Sequence, residues 1–122
     1  MKIFDQVQPW PTKTNFVDRY NVTVGYDMER DCCEEACWYI ATQPRPGLWS
    51  EQSWPGDPEP YIFDLSYCMR VDDYDLHTVI FRLKAKGLQP IYLHLQNCHN
   101  GYYARDFEMT MGNGQEVRSG QI

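Results

Sequence analysis

The sequence predicts an α+β domain, in which a curled antiparallel β-sheet of about five or six strands runs as a meander and one main helix packs on it. Three observations support this fold class. Apolar and polar residues alternate in several consecutive segments, which is typical of half-buried strands. A capping signal precedes a segment with helical spacing, and Asn100-Gly101 is a strong hairpin signal. The length of 122 residues predicts a single domain over residues 1–122.

The N-terminal residues predict an arm followed by a short strand. Residues 1–20 mix proline, tryptophan and polar residues, so we expect an irregular arm whose Trp10 packs on the body of the domain. Val22, Val24 and Tyr26 then alternate with polar or small residues, which predicts a strand with one apolar face.

The segment from Asp31 onwards predicts the helix. Asp31 is a favourable N-cap residue, and Glu34 three positions later completes a capping box. The side chains that would share one helical face are Cys33, Cys37, Ile40 and Ala41. The prolines at 44 and 46 would end the helix.

The remainder of the chain predicts a long loop and a series of strands. Residues 44–60 are rich in proline and tryptophan and predict the loop. Alternation predicts strands over residues 61–67, 78–85, 91–96, 107–111 and 115–118. The Asn100-Gly101 pair would join 91–96 to 107–111 as a hairpin.

Composition and charge exclude some classes of function. The net charge of −6 argues against general nucleic-acid binding, which depends on a basic surface. An acidic surface is compatible with docking a basic protein. No apolar run is long enough for a membrane span and no signal-peptide pattern is present, so a cytoplasmic location is expected. The five cysteines are then expected to be free thiols or metal ligands.

The densest group of binding chemistry lies around the predicted hairpin turn. Tyrosine rings stack on planar ligands such as nucleobases, and arginine binds phosphate or carboxylate groups. We therefore expect a ligand site where the start of the helix meets the tip of the hairpin. Its candidate residues are His99, Asn100, Tyr102, Tyr103 and Arg105, with Asn97, Tyr26, Asp27 and Trp10. No cofactor and no catalytic residue is predicted.

Other interpretations of the same residues remain open. Tyr102 and Tyr103 would alternatively close one end of the core, with Arg105 paired to Asp106 or Glu108. A thiol nucleophile at Cys32 or Cys33 would benefit from the start of a helix. A zinc site would have to be drawn from Cys33, Cys37, Cys98 and His99.

Two segments together resemble a known family. Residues 24–27 read Val-Gly-Tyr-Asp and are followed by Asp-Cys-Cys-Glu at 31–34, and residues 97–103 read Asn-Cys-His-Asn-Gly-Tyr-Tyr. This pair resembles a family of small phage-associated single-domain proteins of unknown function, over most of residues 15–110. The resemblance implies a phage accessory role and assigns no catalytic residue.

The leading hypothesis for function is a phage-type counter-defence protein that captures a small nucleotide-like ligand without turnover. It would act in the cytoplasm of an infected bacterium. The first alternative is an acidic protein–protein inhibitor of a host enzyme, with a host defence protein as the partner, which charge reversal at Asp72, Asp73 and Asp75 would test. The second alternative is a small metal- or thiol-dependent hydrolase. Unpaired edge strands would also favour a homodimer.

Overall fold

The chain folds as an all-β protein with two antiparallel sheets. A computed structural model describes residues 1–6, 13–28, 35–46, 54–99 and 104–122, and these residues form nine β-strands and no helix. Consequently they include no helix with the length and apolarity that crossing a bilayer would require.

The first sheet has five strands in the order β1-β2-β3-β8-β9. Its strands are β1 (Lys2–Gln6), β2 (Lys13–Val17), β3 (Thr23–Asp27), β8 (Asp106–Thr110) and β9 (Glu116–Gln121). The three N-terminal strands form a meander, and the C-terminal hairpin β8–β9 adds to the free side of β3.

The second sheet has four strands in the order β4-β7-β6-β5. Its strands are β4 (Glu35–Ala41), β5 (Ile62–Asp73), β6 (Leu76–Lys84) and β7 (Ile91–Cys98). The three consecutive strands β5, β6 and β7 are joined by short turns, while β4 lies beside β7. This is the strand arrangement of a Greek key.

The two sheets pack face to face around one apolar core. Phe16 of the first sheet contacts Trp38 of the second edge to face, with ring centroids 5.1 Å apart. Phe107 and Phe81 make the same kind of contact across the layers at 6.1 Å. The alternating inward residues of both sheets fill the space between them, as expected for a sandwich.

The predicted helix is wrong in the part of it that the structure describes, because residues 35–41 form strand β4. Residues 31–34, which carry the capping signal, lie outside the described residues. Tyr39, Ile40 and Ala41 are buried consecutively, so β4 loses the two-residue alternation of a half-buried strand. A continuous buried run of this kind cannot be distinguished from a helix by periodicity alone. The fold class is therefore all-β rather than α+β.

The predicted hairpin between 91–96 and 107–111 is also wrong. Both segments are strands, but β7 belongs to the second sheet and β8 to the first, so they do not pair with each other. Residues 100–103, with Asn100 and Gly101, lie outside the described residues and join a strand of the second sheet to a strand of the first. A strong local turn signal carries no information about which sheet each flanking strand joins.

The N-terminal arm is more regular than predicted. Strands β1 and β2 pair from Lys2 with Val17 to Gln6 with Lys13. Only residues 7–12 between them, with Trp10, lie outside the described residues.

The other predicted strands are confirmed, although β5 continues to Asp73, six residues beyond its predicted end. They correspond to β3, β5, β6, β7, β8 and β9. The turns before β7 and before β9 contain Gly87 at φ 76° and Gly114 at φ 86°. These angles favour glycine because it has no Cβ.

Candidate functional site

Three connections leave the sandwich at one end, which we call the loop end. In the first sheet, the register places Gln6 beside Lys13 and Lys13 beside Asp27. These residues flank segments 7–12 and 29–34 of the chain.

The second sheet reaches the same end with the strand termini that flank the other connections. Glu35 pairs with Cys98, and Leu76 pairs with Cys98 from the other side. The hairpin between β5 and β6 turns here at residues 73–76, and the His99 amide donates to the Asp75 carbonyl at 2.9 Å. The residues that flank 29–34 and 100–103 therefore lie together at this end, whereas the segments in which the sequence placed the helix start and the hairpin tip lie outside the described residues.

Tyr26 and Asn97 fasten the two sheets together beneath the loop end. The Tyr26 hydroxyl donates to the Gln96 carbonyl at 2.6 Å, and its ring is fully buried. Burial is the main cause of the raised pKa of Tyr26. The Asn97 amide donates to the main-chain oxygen of Ile122 at 3.0 Å, and Ile122 also bonds to the Arg105 backbone. These two candidate residues thus lie in the base of the site, below its surface.

Arg105 and Asp27, both candidate ligand-binding residues, contact each other. The Arg105 Nη1 atom lies 3.5 Å from Asp27 Oδ2, and the Arg105 side chain is only 4% exposed. The sequence offered Asp106 or Glu108 as the carboxylate partner of Arg105. The structure instead gives this ion pair to Asp27, since β3 runs beside β8. The Arg105 guanidinium is therefore buried against a carboxylate at the base of the loop end.

His99 belongs to a polar row that crosses the second sheet. Asp72, His77 and Asn97 are register neighbours on β5, β6 and β7. His77 Nδ1 lies 2.7 Å from Asp72 Oδ1, and the His99 ring stacks on the His77 ring with centroids 4.5 Å apart.

The electrostatics of this row follow from burial and from the neighbouring charges. Burial is the main cause that lowers the pKa of His99, and the adjacent His77 adds to it. The hydrogen bond with His77 lowers the pKa of Asp72, with a further contribution from Arg70. The row therefore favours a neutral His99 beside an ionised Asp72.

The remaining candidate residues lie outside the described residues. They are Trp10, Cys32, Cys33, Asn100, Tyr102 and Tyr103. Their segments are attached at the loop end through the flanks described above.

The described residues give no geometric support to a metal site or a reactive thiol. No group of three or more His, Cys, Asp or Glu among them is placed to hold a metal ion. Cys37, Cys68 and Cys98 are free thiols. Burial raises the pKa of Cys37, which disfavours the nucleophilic thiolate.

A groove of about 440 Å³ runs over the outer face of the first sheet next to the loop end. Lys13 crosses its floor to pair with Glu108 at 2.5 Å. Gly25 lies beneath, where a Cβ would come within 2.7 Å of the Lys13 side chain, so glycine leaves room for this crossing. The carboxylates along the groove are Asp27, Asp106, Glu108 and Glu116.

The acidic tip of the β5–β6 hairpin is the part of the loop end that the sequence-based site lacks. The run Asp72-Asp73-Tyr74-Asp75 reads as an acidic connection, and the structure places it beside His99. The register that places Asp72 beside His77, and His77 beside Asn97, depends on strand pairing, which local sequence patterns do not reveal. The sequence did carry one signal for this part of the site, an aromatic residue, Tyr74, within a run of aspartates.

No family model matches this chain, nor does any curated protein or solved structure. The resemblance to phage-associated proteins therefore stays a prediction.

Proposed function

We propose that this chain is a non-enzymatic recognition protein whose loop end binds a partner protein through a basic surface of that partner. This was the first alternative from the sequence, and the geometry now favours it over nucleotide capture. The arrangement is that of a β-sandwich that presents its connections at one end, a common scaffold for recognition loops.

The observation that carries the proposal is the charge balance of the loop end. Each described cation there already has a carboxylate partner: Lys13 pairs with Glu108, Arg70 with Asp72, and Arg105 with Asp27. Exposed carboxylates remain that form no ion pair among the described residues, and they include Glu35, Asp73, Asp75 and Asp106. An uncompensated acidic surface favours a basic partner and speeds its association.

Nucleotide capture is the second candidate, because Trp10, Tyr102 and Tyr103 belong to segments attached at this end. Their rings would stack on a base. The phosphate of such a ligand requires a cation, and the one predicted for it, Arg105, is buried against Asp27. Calorimetric titration with ATP, GTP and a cyclic dinucleotide tests this candidate; binding of any of them with loss of affinity in Tyr102→Ala would support it over the protein partner.

Charge reversal at the loop end tests the proposed function. Wild type and an Asp73→Lys/Asp75→Lys variant are used to capture proteins from a bacterial lysate, and each captured protein is then purified for titration. The matched control is Asp57→Lys/Glu59→Lys, which makes the same change of charge at exposed positions away from the loop end.

The proposal expects the loop-end variant to bind the purified partner about tenfold more weakly or worse, while the control binds like wild type. Wild-type affinity should also fall as salt is raised, because screening weakens exposed charge interactions. Equal affinity of the two variants would contradict the proposal. If the phage resemblance holds, the partner is a host protein involved in defence.

A further inference from the structure

The two-residue turn at the tip of the β5–β6 hairpin has an unusual backbone. Asp73 pairs with Leu76, which leaves Tyr74 and Asp75 as the turn. Tyr74 has a φ of 53°, in the left-handed region. Glycine, asparagine and aspartate adopt this region most readily, whereas a bulky side chain is disfavoured there by contact of its Cβ with the backbone.

The Tyr74 side chain gains nothing from the fold in return. It is 97% exposed, more than any other large hydrophobic side chain that is exposed in the described residues. The other non-glycine residue with positive φ in the described chain is Asn21, a residue type that tolerates this conformation. One exposed aromatic residue is ordinary on a protein surface. An exposed aromatic residue held in a conformation it disfavours is not explained by stability.

The turn beneath Tyr74 is fixed on several sides. The Asp75 carbonyl accepts the His99 amide at 2.9 Å. Asp72, next to the turn, is bonded by His77 at 2.7 Å and by Arg70 at 3.1 Å. A tip that is already ordered loses little conformational freedom when a partner binds, which favours affinity.

We infer that Tyr74 is the aromatic anchor of the interface, inserted into an apolar recess of the partner while Asp73 and Asp75 contact basic residues around that recess. The inference rests on the proposed function and adds to it the residue that makes the central contact. Tyrosine is among the residues that most often dominate binding energy at protein interfaces. The flanking carboxylates supply the charge complementarity that selects Lys- and Arg-bearing partners.

A displayed library of random short peptides is the probe for this inference. Peptides selected on the wild-type protein are synthesised, and their affinities are measured for Tyr74→Gly, Tyr74→Asn and Asp73→Lys/Asp75→Lys. Tyr20→Gly is the matched control, because Tyr20 is also an exposed tyrosine in a turn but lies away from the loop end.

We expect the selected peptides to be enriched in lysine and arginine around an apolar residue. Tyr74→Gly and Tyr74→Asn should both bind them about tenfold more weakly or worse, and Tyr20→Gly should bind them like wild type. The thermal unfolding midpoint of Tyr74→Gly should equal or exceed that of wild type, so that lost binding is not lost folding.

The outcomes separate the anchor from the proposed function. Undiminished binding by both Tyr74 variants, with binding lost in Asp73→Lys/Asp75→Lys, would overturn the anchor and leave the acidic interface standing. Selected peptides without an excess of basic residues, or no selected peptide at all, would overturn both.

Discussion

At the scale of single residues, buried charge in this protein is held by several donors at once. Asp64 is 7% exposed and accepts the Ser66 hydroxyl at 2.6 Å, Arg82 Nη2 at 2.6 Å and Lys84 Nζ at 3.1 Å. The hydrogen bond from Ser66, reinforced by those from Arg82 and Lys84, holds the pKa of Asp64 well below its usual range against the opposing effect of burial. Asp64 is therefore ionised in the folded protein at neutral pH.

Replacing Asp64 by asparagine should destabilise the fold in a pH-dependent way. At pH 7 the change removes a charge that the side chains of Ser66, Arg82 and Lys84 contact, and we expect a loss of about 1–3 kcal/mol in the free energy of unfolding. A lowered pKa stabilises the fold only above the unfolded value, which is about 3.9. The difference between Asp64→Asn and wild type should thus narrow as the pH falls below about 4.

Urea denaturation at several pH values measures this effect. Asp75→Asn is the control, because Asp75 is exposed and its loss should change stability by no more than about 0.5 kcal/mol. A loss for Asp64→Asn that is as large at pH 3 as at pH 7 would show that the charge itself does not stabilise the fold.

At the scale of elements, the sequence predicts strands well where apolar and polar residues alternate along the chain and poorly where they do not. The alternation in β6 and β8 is visible because polar residues separate Phe81 from Leu83 and Phe107 from Met109. In β4 no charged or small polar residue interrupts the run from Ala36 to Ala41, so the segment lacks this alternation and its pattern predicts a helix. The β-favouring residues Trp38, Tyr39 and Ile40 were the signal for a strand.

The sequence also did not reveal which of the two sheets each strand joins. The chain crosses between layers after β7, and this crossing is fixed by contacts distant in sequence, such as the bond between Tyr26 and the Gln96 carbonyl. The candidate site was therefore predicted in part. The described residues that flank its segments lie at one end, but the burial of Tyr26, Asn97 and Arg105 depends on packing between the sheets.

Tyr26→Phe should loosen the link between the sheets at the loop end. The variant keeps the buried ring and removes the hydroxyl, so the Gln96 carbonyl loses the Tyr26 donor, and we expect a loss of about 1 kcal/mol. Chemical denaturation measures it, with Tyr20→Phe at an exposed position as the control. If the two variants were equally stable, the bond between the sheets would carry no net stability.

At the scale of the whole molecule, the stability of the fold should fall on mild acidification. Burial lowers the pKa of both His94 and His99 in the folded state. The unfolded chain then binds protons more readily than the folded chain as the pH drops through the ordinary histidine value of about 6.5. The free energy of unfolding should decrease between about pH 7 and pH 5.

The variant His99→Gln isolates the contribution of His99 to this decrease. It should show a shallower decrease over the same pH range, because one of the two groups no longer titrates. Thermal unfolding across this range checks the expectation. If the stability of His99→Gln fell with pH as steeply as that of wild type, groups other than His99 would be the cause of the decrease.

The most direct test of the recognition surface is an NMR titration. The captured partner, or a selected basic peptide, is added to the isotope-labelled protein, and the changes in backbone amide chemical shifts are mapped onto the structure. We predict that the shifts which change concentrate at the loop end, at residues 27–28, 35, 73–77, 99 and 104–106. Changes concentrated instead at the opposite turns, residues 18–21, 86–90 and 112–114, would contradict the account.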